Sequence, residues 1–178
     1  PEIERIRYTT SHPKDMTGDL INCHKISKKL VPFIHLPVQS GSNTILKSMN
    51  RKHTREEYLN IIKNLVTVRP EIKFSSDFIV GYPGETEKDF EDTLYLIEKV
   101  NFINSYSFIY RPRPGTPASK MKTIDKKIQK KRLIFLQSLL EKIQMKKNDD
   151  MVGKTKEVLV ENRLKYQSQY FGRTEDLT

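Results

Sequence analysis

The chain has 178 residues, with 32 Lys and Arg against 22 Asp and Glu, a formal net charge of +10. Eight Phe and eight Tyr can build the core of about one domain, no apolar run nears the roughly 20 residues of a membrane span, and the positive excess points to a polyanionic partner, nucleic acid first, with a solvated Lys-rich surface as the plain alternative. The single cysteine, Cys23, excludes an internal disulfide and a self-contained thiolate metal site, which needs three or four thiolates, and the lack of disulfides fits a reducing, cytoplasmic compartment.

Residues 1–121 alternate β-rich and helix-like runs. Ile3–Thr10 reads as a strand, Asp15–Leu30 as a helix, and Val31–Val38 as the next strand. Ser42 caps a short helix carrying Ile45, Leu46 and Met49. Thr54 and Glu57 form a capping box, and Tyr58, Ile61, Ile62 and Leu65 follow on one helical face, with Pro70 beyond its end. Lys73–Val80 is a strand that stops at Gly81-Tyr-Pro-Gly-Glu85. Thr86 opens a helix with Phe90, Leu94 and Ile97 inward, and Ser105–Tyr110 is a fourth strand. Strands separated by helices imply βαβ units and a parallel sheet, here half of a (β/α)₈ barrel.

After Met121 the pattern changes. Residues 122–150 read as one long helix with Leu133, Leu136, Leu140 and Ile143 as its apolar stripe. From Lys120 to Lys147 ten Lys or Arg stand against Asp125 and Glu141, most of the chain's positive excess, and the basic faces are expected to point outward. Residues 151–178 are strand-like again and too few for an independent β domain, as if cut off in mid-domain. Arg163, Lys165 and Arg173 alternate there with Tyr166, Tyr170 and Phe171, a mixture that suits RNA contacts and base stacking.

In parallel α/β folds ligands bind beyond the carboxyl ends of strands. Four polar or Gly-rich segments stand at such ends: residues 9–13, 39–42, 81–86 and 111–116. Gln39 offers amide donors and an acceptor, and Gly41 lets a backbone approach. An ordinary helix-capping loop is the competing reading for this segment. The Gly81 turn lacks the spacing of a phosphate-cradling loop, but its exposed backbone can hydrogen-bond a flat base. Asp77 needs a partner if buried. Prolines on both sides of Arg113 stiffen it for gripping an anion, or simply make a rigid turn. His35 is read as core or wall rather than ligand, and Cys23 as structural. No histidine pair has metal-ligand spacing, and neither a paired-carboxylate signature nor a nucleophile elbow is present.

The literal motifs go further. RIRYTTSHP, FIHLPVQSGSNTILKSMNRKHT, SSDFIVGYPGETEKDFEDT, SYSFIYRPRPGTPASKM and the closing LVE and GRTE, in this order along nearly the whole chain, resemble the radical S-adenosylmethionine methylthiotransferases. Within that family the likeness is to the MiaB type, which acts on tRNA; members acting on a ribosomal protein have Gln-His where this chain has Gln39-Ser40. The resemblance implies an α/β fold: the C-terminal half of a radical SAM (β/α) TIM-like barrel over 1–121, a basic connecting helix over 122–150, and the start of a truncated, RNA-binding TRAM β domain over 151–178. It implies a transferase that, as the intact protein, methylthiolates C2 of N6-isopentenyladenosine beside the anticodon. It also implies two cofactors. S-adenosylmethionine would be lined by Gln39, Ser40, Ser76, Asp77, Gly81 and Arg113, and tRNA touched by Arg163, Lys165 and Arg173. Two [4Fe–4S] clusters would be held on cysteine triplets that this stretch lacks. The expectation is therefore a C-terminal fragment, inactive by itself, complemented by a preceding segment or a separate N-terminal chain. The alternative is a non-catalytic RNA-binding module or split-subunit remnant.

Overall fold

The computed structural model describes residues 2–10, 12–163, 165 and 168–176. A short 3-10 turn at Pro13–Asp15 leads into α1 (Gly18–Ile26), then β1 (Phe33–His35), α2 (Asn43–Ser48), α3 (Arg55–Val68), β2 (Lys73–Ser75), β3 (Asp77–Val80), α4 (Glu87–Val100), β4 (Tyr106–Ile109), α5 (Lys126–Asp149), β5 (Val158–Arg163) and β6 (Tyr170–Thr174). β1 pairs with β2 and β3 with β4, both in parallel. Isolated parallel bridges join Thr9 to His35 and Gln39 to Phe78, so four parallel segments lie side by side in chain order. The expected first strand, Ile3–Thr10, is present only as bridges from Ile6 to Leu30 and from Thr9 to His35. Among the described residues no helix is long and apolar enough to cross a membrane.

The alternation of side chains along the strands sorts the molecule into two faces. Ile34, Leu36 and Val38 join Phe74, Phe78 and Val80 in one core with Tyr58, Leu65, Phe90, Leu96 and Ile97 of the helices. The intervening residues His35, Gln39, Asp77 and Ile79 look the other way. α5 closes the helical layer with Leu136 and Leu140 in that core and Leu133 and Ile143 packed against it, as its spacing predicts.

Pro37 explains why Lys73–Val80 is two strands and not one. A proline has no N–H to give to the ladder. Opposite it the fully buried Ser76 hydroxyl donates to the Leu36 carbonyl at 3.0 Å and accepts from the Val38 N–H at 2.9 Å. One side chain replaces the missing ladder bonds, and β2 and β3 part at that residue.

Two helix starts, Thr54 and Thr86, fall where the sequence places them. Thr54 with Glu57 and Thr86 with Asp89 form reciprocal capping boxes. α1 is shorter than the expected Asp15–Leu30 because Thr17 caps it at Gly18 and the helix ends before Ser27. α5 begins at Lys126, not 122, because the Asp125 side chain accepts the Lys127 N–H.

Gly41 lies where the loop before α2 crosses α4. A Cβ there would meet the Asp92 carbonyl oxygen at 2.3 Å and the Thr93 Cα at 2.6 Å, both helix backbone that cannot swing aside. Gly41→Ala is expected to destabilise the fold by about 1–3 kcal/mol, the usual cost of overpacking. A urea midpoint within error of the parent would refute this close approach.

β5 and β6 form an antiparallel hairpin with a register irregularity between Val160 and Asn162, and every residue of β5 is exposed. Its links to the rest of the protein include the Arg5–Glu157 ion pair. Ser11 of the first loop and Tyr166 of the expected aromatic set lie outside the described residues.

Candidate functional site

A cavity of about 1160 Å³ opens between β3, β4, the segments after α2 and β4, and Leu133 of α5. Gln39, Asp77 and Ile79 form one side of it and Phe108, Tyr110 and Leu133 another, while Arg51, Arg111 and Arg113 add three guanidinium groups. Of the six residues expected around the cofactor, Gln39, Asp77 and Arg113 are brought together here.

The other three are not. Ser76 points into the helix-facing core, where it mends the ladder around Pro37. Ser40 is fully buried on the same side, 3.3 Å from the Thr93 hydroxyl, and accepts from the Ser42 N–H. Strand alternation explains both placements, since each is the odd neighbour of a cavity residue. Gly81, at φ +71°, packs beneath α5: its N–H donates to Glu85 Oε2 at 2.8 Å and its carbonyl accepts from Gln129 Nε2 at 3.0 Å. The expectation of exposed Gly81 backbone is corrected, because that backbone is buried and used internally.

Gln39 is itself in the left-handed region at φ 75°. Its N–H donates to the Asp77 carbonyl and its own carbonyl accepts from Ile79, each at 2.9 Å, so the two strands impose this conformation. A non-glycine residue held there costs about 1 kcal/mol or more, a cost seen where a side chain must be aimed.

Arg51 was missed. It follows Asn50, whose φ of 57° ends α2 and turns the chain back under the strands. Its Nη2 donates to the Pro37 carbonyl at 2.7 Å, while its Nε is buried with no partner among the described residues. Burial lowers the guanidinium pKa and the Asp77 carboxylate opposes that shift. The buried Tyr110 hydroxyl likewise has no partner among the described residues, and its ring meets Tyr82 edge-on at 4.9 Å. The motif that could have flagged Arg51 is the Asn50-Arg51 pair after a short helix, an αL residue followed by a long cation. His35 stands beside the cavity, its Nδ1 2.6 Å from the Ser75 hydroxyl and its Nε2 3.6 Å from Asp77. It is not among the residues that line the cavity, but stands next to Asp77, which is.

This donor set suits a ligand carrying a carboxylate, cationic groups and a flat ring system. Two orphaned buried polar groups, Arg51 Nε and Tyr110 Oη, add capacity for such a ligand. Residues 1–178 do not suit an iron–sulfur cluster. Cys23 is the single cysteine and is exposed on α1. Among the described residues no group of three or more His, Cys, Asp or Glu can hold a metal.

On the hairpin, Arg163 and Lys165 are exposed. Arg173 is paired with Glu161 at 2.8 Å and lies over the Phe171 ring at 5.3 Å. Arg132 of α5 breaks the expectation that the helix keeps its basic residues outward. It is buried, with Nη1 2.7 Å from Glu85 and Nη2 2.9 Å from Glu87.

The tRNA-2-methylthio-N(6)-dimethylallyladenosine synthase of Pelagibacter ubique is 59% identical over 177 residues, covering 99% of this chain and 40% of the relative. The synthase of the same name from Ehrlichia chaffeensis is 55% identical over 177 residues, covering 98% and 40%. The resemblance to MiaB-type tRNA methylthiotransferases is thereby borne out, and the chain spans about 40% of the length of these relatives. A solved structure of Elp3 from the archaeon Methanocaldococcus infernus, with an N-terminal deletion, overlays 76% of this chain and 32% of its own with a TM-score of 0.52. At 19% identity that likeness speaks to the fold alone. The family model described as the Radical SAM superfamily matches residues 1–97, the stretch that builds the first three strands and Gln39 and Asp77. With parallel strands flanked by helices and a family match over more than half its length, this chain belongs to the radical SAM superfamily.

Proposed function

We propose that this chain is part of a tRNA methylthiotransferase that adds a methylthio group to C2 of N6-isopentenyladenosine beside the anticodon. The observation that carries the reading is the 59% identity to a tRNA-2-methylthio-N(6)-dimethylallyladenosine synthase along 177 residues. In this reading residues 1–121 are the C-terminal half of the radical SAM barrel, 122–150 connect, and 151–178 begin a TRAM-type RNA-binding unit. tRNA as substrate assigns the protein to the cytoplasm.

The cavity is the S-adenosylmethionine site. Arg51 and Arg113 offer guanidinium groups to the carboxylate, Asp77 a carboxylate to the cationic groups, and Gln39 an amide to ribose or adenine. When bound there, S-adenosylmethionine supplies radical and methyl-transfer chemistry. The two [4Fe–4S] clusters are held by cysteines outside residues 1–178, in a preceding segment or a separate chain. These 178 residues alone therefore bind but do not turn over. On the hairpin, Arg163, Lys165 and Arg173 meet the tRNA, Arg173 sharing its charge with Glu161.

Nucleoside analysis of bulk tRNA tests the function. Disrupting the gene should abolish 2-methylthio-N6-isopentenyladenosine and leave N6-isopentenyladenosine in its place; an unchanged nucleoside profile would refute the assignment. Equilibrium dialysis of the 178-residue chain with S-adenosylmethionine tests the site. Asp77→Asn and Gln39→Ala should each weaken binding about tenfold, the loss of one charge-assisted or oriented hydrogen bond.

A further inference from the structure

The first two turns of α5 run against the rules for a stable helix. A helix N-terminus carries positive partial charge and favours acids, yet beyond the Asp125 cap no acidic residue stands in the first turn, while Lys126 and Lys127 do. Lys130 and Lys131 repeat them one turn later, so Lys126 faces Lys130 and Lys127 faces Lys131 as like-charged i,i+4 neighbours. All four are exposed. Among the described residues none of them forms an ion pair, whereas Arg5, Arg55, Arg69, Lys88, Lys156 and Arg173 all do. Local preference that loses this consistently marks a surface selected for something else.

The placement of α5 says where that surface looks. Gln129 and Arg132 are fixed inward by their bonds to the Gly81–Glu85 turn, which turns the four lysines outward. Leu133 of the same helix lines the cavity, and Arg111 and Arg113, also exposed and without an ion pair among the described residues, stand on its rim. Leu133 thus ties the lysine-bearing helix to the cavity, less than one turn from Lys130 and Lys131.

We propose that Lys126, Lys127, Lys130 and Lys131, with Arg111, form a second RNA surface that grips the phosphate backbone beside the cavity, distinct from the hairpin. The proposal rests on the tRNA reading above and adds to it where the RNA lies. Cations spread over a helix face and a rigid loop, in excess over Asp125, whose carboxylate is engaged in capping α5, bind phosphates by counterion release and without sequence preference. Ile134 and Phe135 are exposed just beyond the patch, which makes an anionic membrane the competitor to exclude.

The test is fluorescence-anisotropy titration of the whole 178-residue chain with transcribed tRNA from 50 to 200 mM salt. It compares the parent, K126Q/K127Q/K130Q/K131Q and R163Q/K165Q/R173Q, with vesicles containing anionic phospholipid as a parallel arm. The lysine variant should bind tRNA at least tenfold more weakly at 50 mM salt. Its slope of log affinity against log salt should fall by about three, as expected for four lost phosphate contacts. Its melting temperature should hold or rise, because like-charge repulsion is removed. An unchanged slope in the lysine variant with a loss in the hairpin variant would overturn the proposal and leave the tRNA reading intact. No tRNA binding by the parent would overturn the proposal and remove RNA contact from this stretch altogether. Vesicle binding that depends on the lysines, with tRNA affinity unchanged, would make the patch a lipid surface and overturn it too.

Discussion

Arg132→Met is expected to lower the unfolding free energy by about 3–5 kcal/mol at neutral pH, the range for stripping one partner from a buried ion pair. The Glu85 side chain is 1% exposed and that of Arg132 7%. Without the guanidinium, Glu85 keeps a buried carboxylate whose remaining donor is the Gly81 N–H. Burial already raises the Glu85 pKa, with the Gly81 and Arg132 hydrogen bonds opposing it. In the variant that opposition weakens, so the carboxyl takes up a proton more readily in the fold. The loss should therefore shrink as pH falls below the ordinary carboxylate range, where Glu85 is neutral in both folded and unfolded chains. Glu85→Leu combined with Arg132→Met removes both charges and should recover most of the loss. Urea denaturation at two pH values measures all of this, and a loss under about 1 kcal/mol at neutral pH would show that the pair is not a structural tie.

The second large effect is a pH dependence. His53 is 5% exposed, and both ring nitrogens are buried without partners among the described residues. Its pKa falls from 6.5 to about 4, first through burial and then through Arg51 and His12, with Glu57 opposing. The folded protein thus holds His53 neutral where the unfolded chain protonates it. Above pH 6.5 both states are neutral and nothing is lost. As pH falls from 6.5 the unfolded state binds the extra proton, stability drops, and the drop levels off near 4. The full difference amounts to about 3 kcal/mol. Carboxylates such as Asp89, whose pKa is lowered, add a further loss as pH falls lower still, and Glu85, whose pKa is raised, opposes it. His53→Phe isolates the histidine: the difference between the two stability–pH curves should be flat above 6.5 and steep between 4 and 6.5. Parallel curves would rule His53 out as the source.

What the sequence disclosed was local or periodic. Thr54 with Glu57 announces a helix start because both partners of the capping box lie within one turn. The α5 stripe announces its buried face because spacing alone decides it. The two faces of the strands were harder to assign. Asp77 and Gln39 reach the cavity while Ser76 and Ser40, one residue away, do not. A motif marks the end of a strand, but only the pairing register decides which neighbour faces which side. Pro37 was visible, yet its remedy is a serine 39 residues later, and nothing local couples them. The same distance problem hid Arg132. Its helix reads as a basic solvated stripe until Glu85, 47 residues earlier, is brought against it. Gly81 was singled out for exposed backbone, whereas α5 covers it: a Cβ there would sit 2.5 Å from Gln129 Cγ.

That last clamp changes how the turn after β3 meets water. A turn amide beyond a strand end ordinarily exchanges its hydrogen quickly, since little must open to expose it. The Gly81 amide is covered by Glu85, Glu85 is held by Arg132, and the Gly81 carbonyl is held by Gln129. Its hydrogen can leave only when α5 lifts from the sheet. The exchange rate of this one amide is therefore a clock for detachment of the lysine-bearing helix, and it would slow whenever a polyanion holds that helix down.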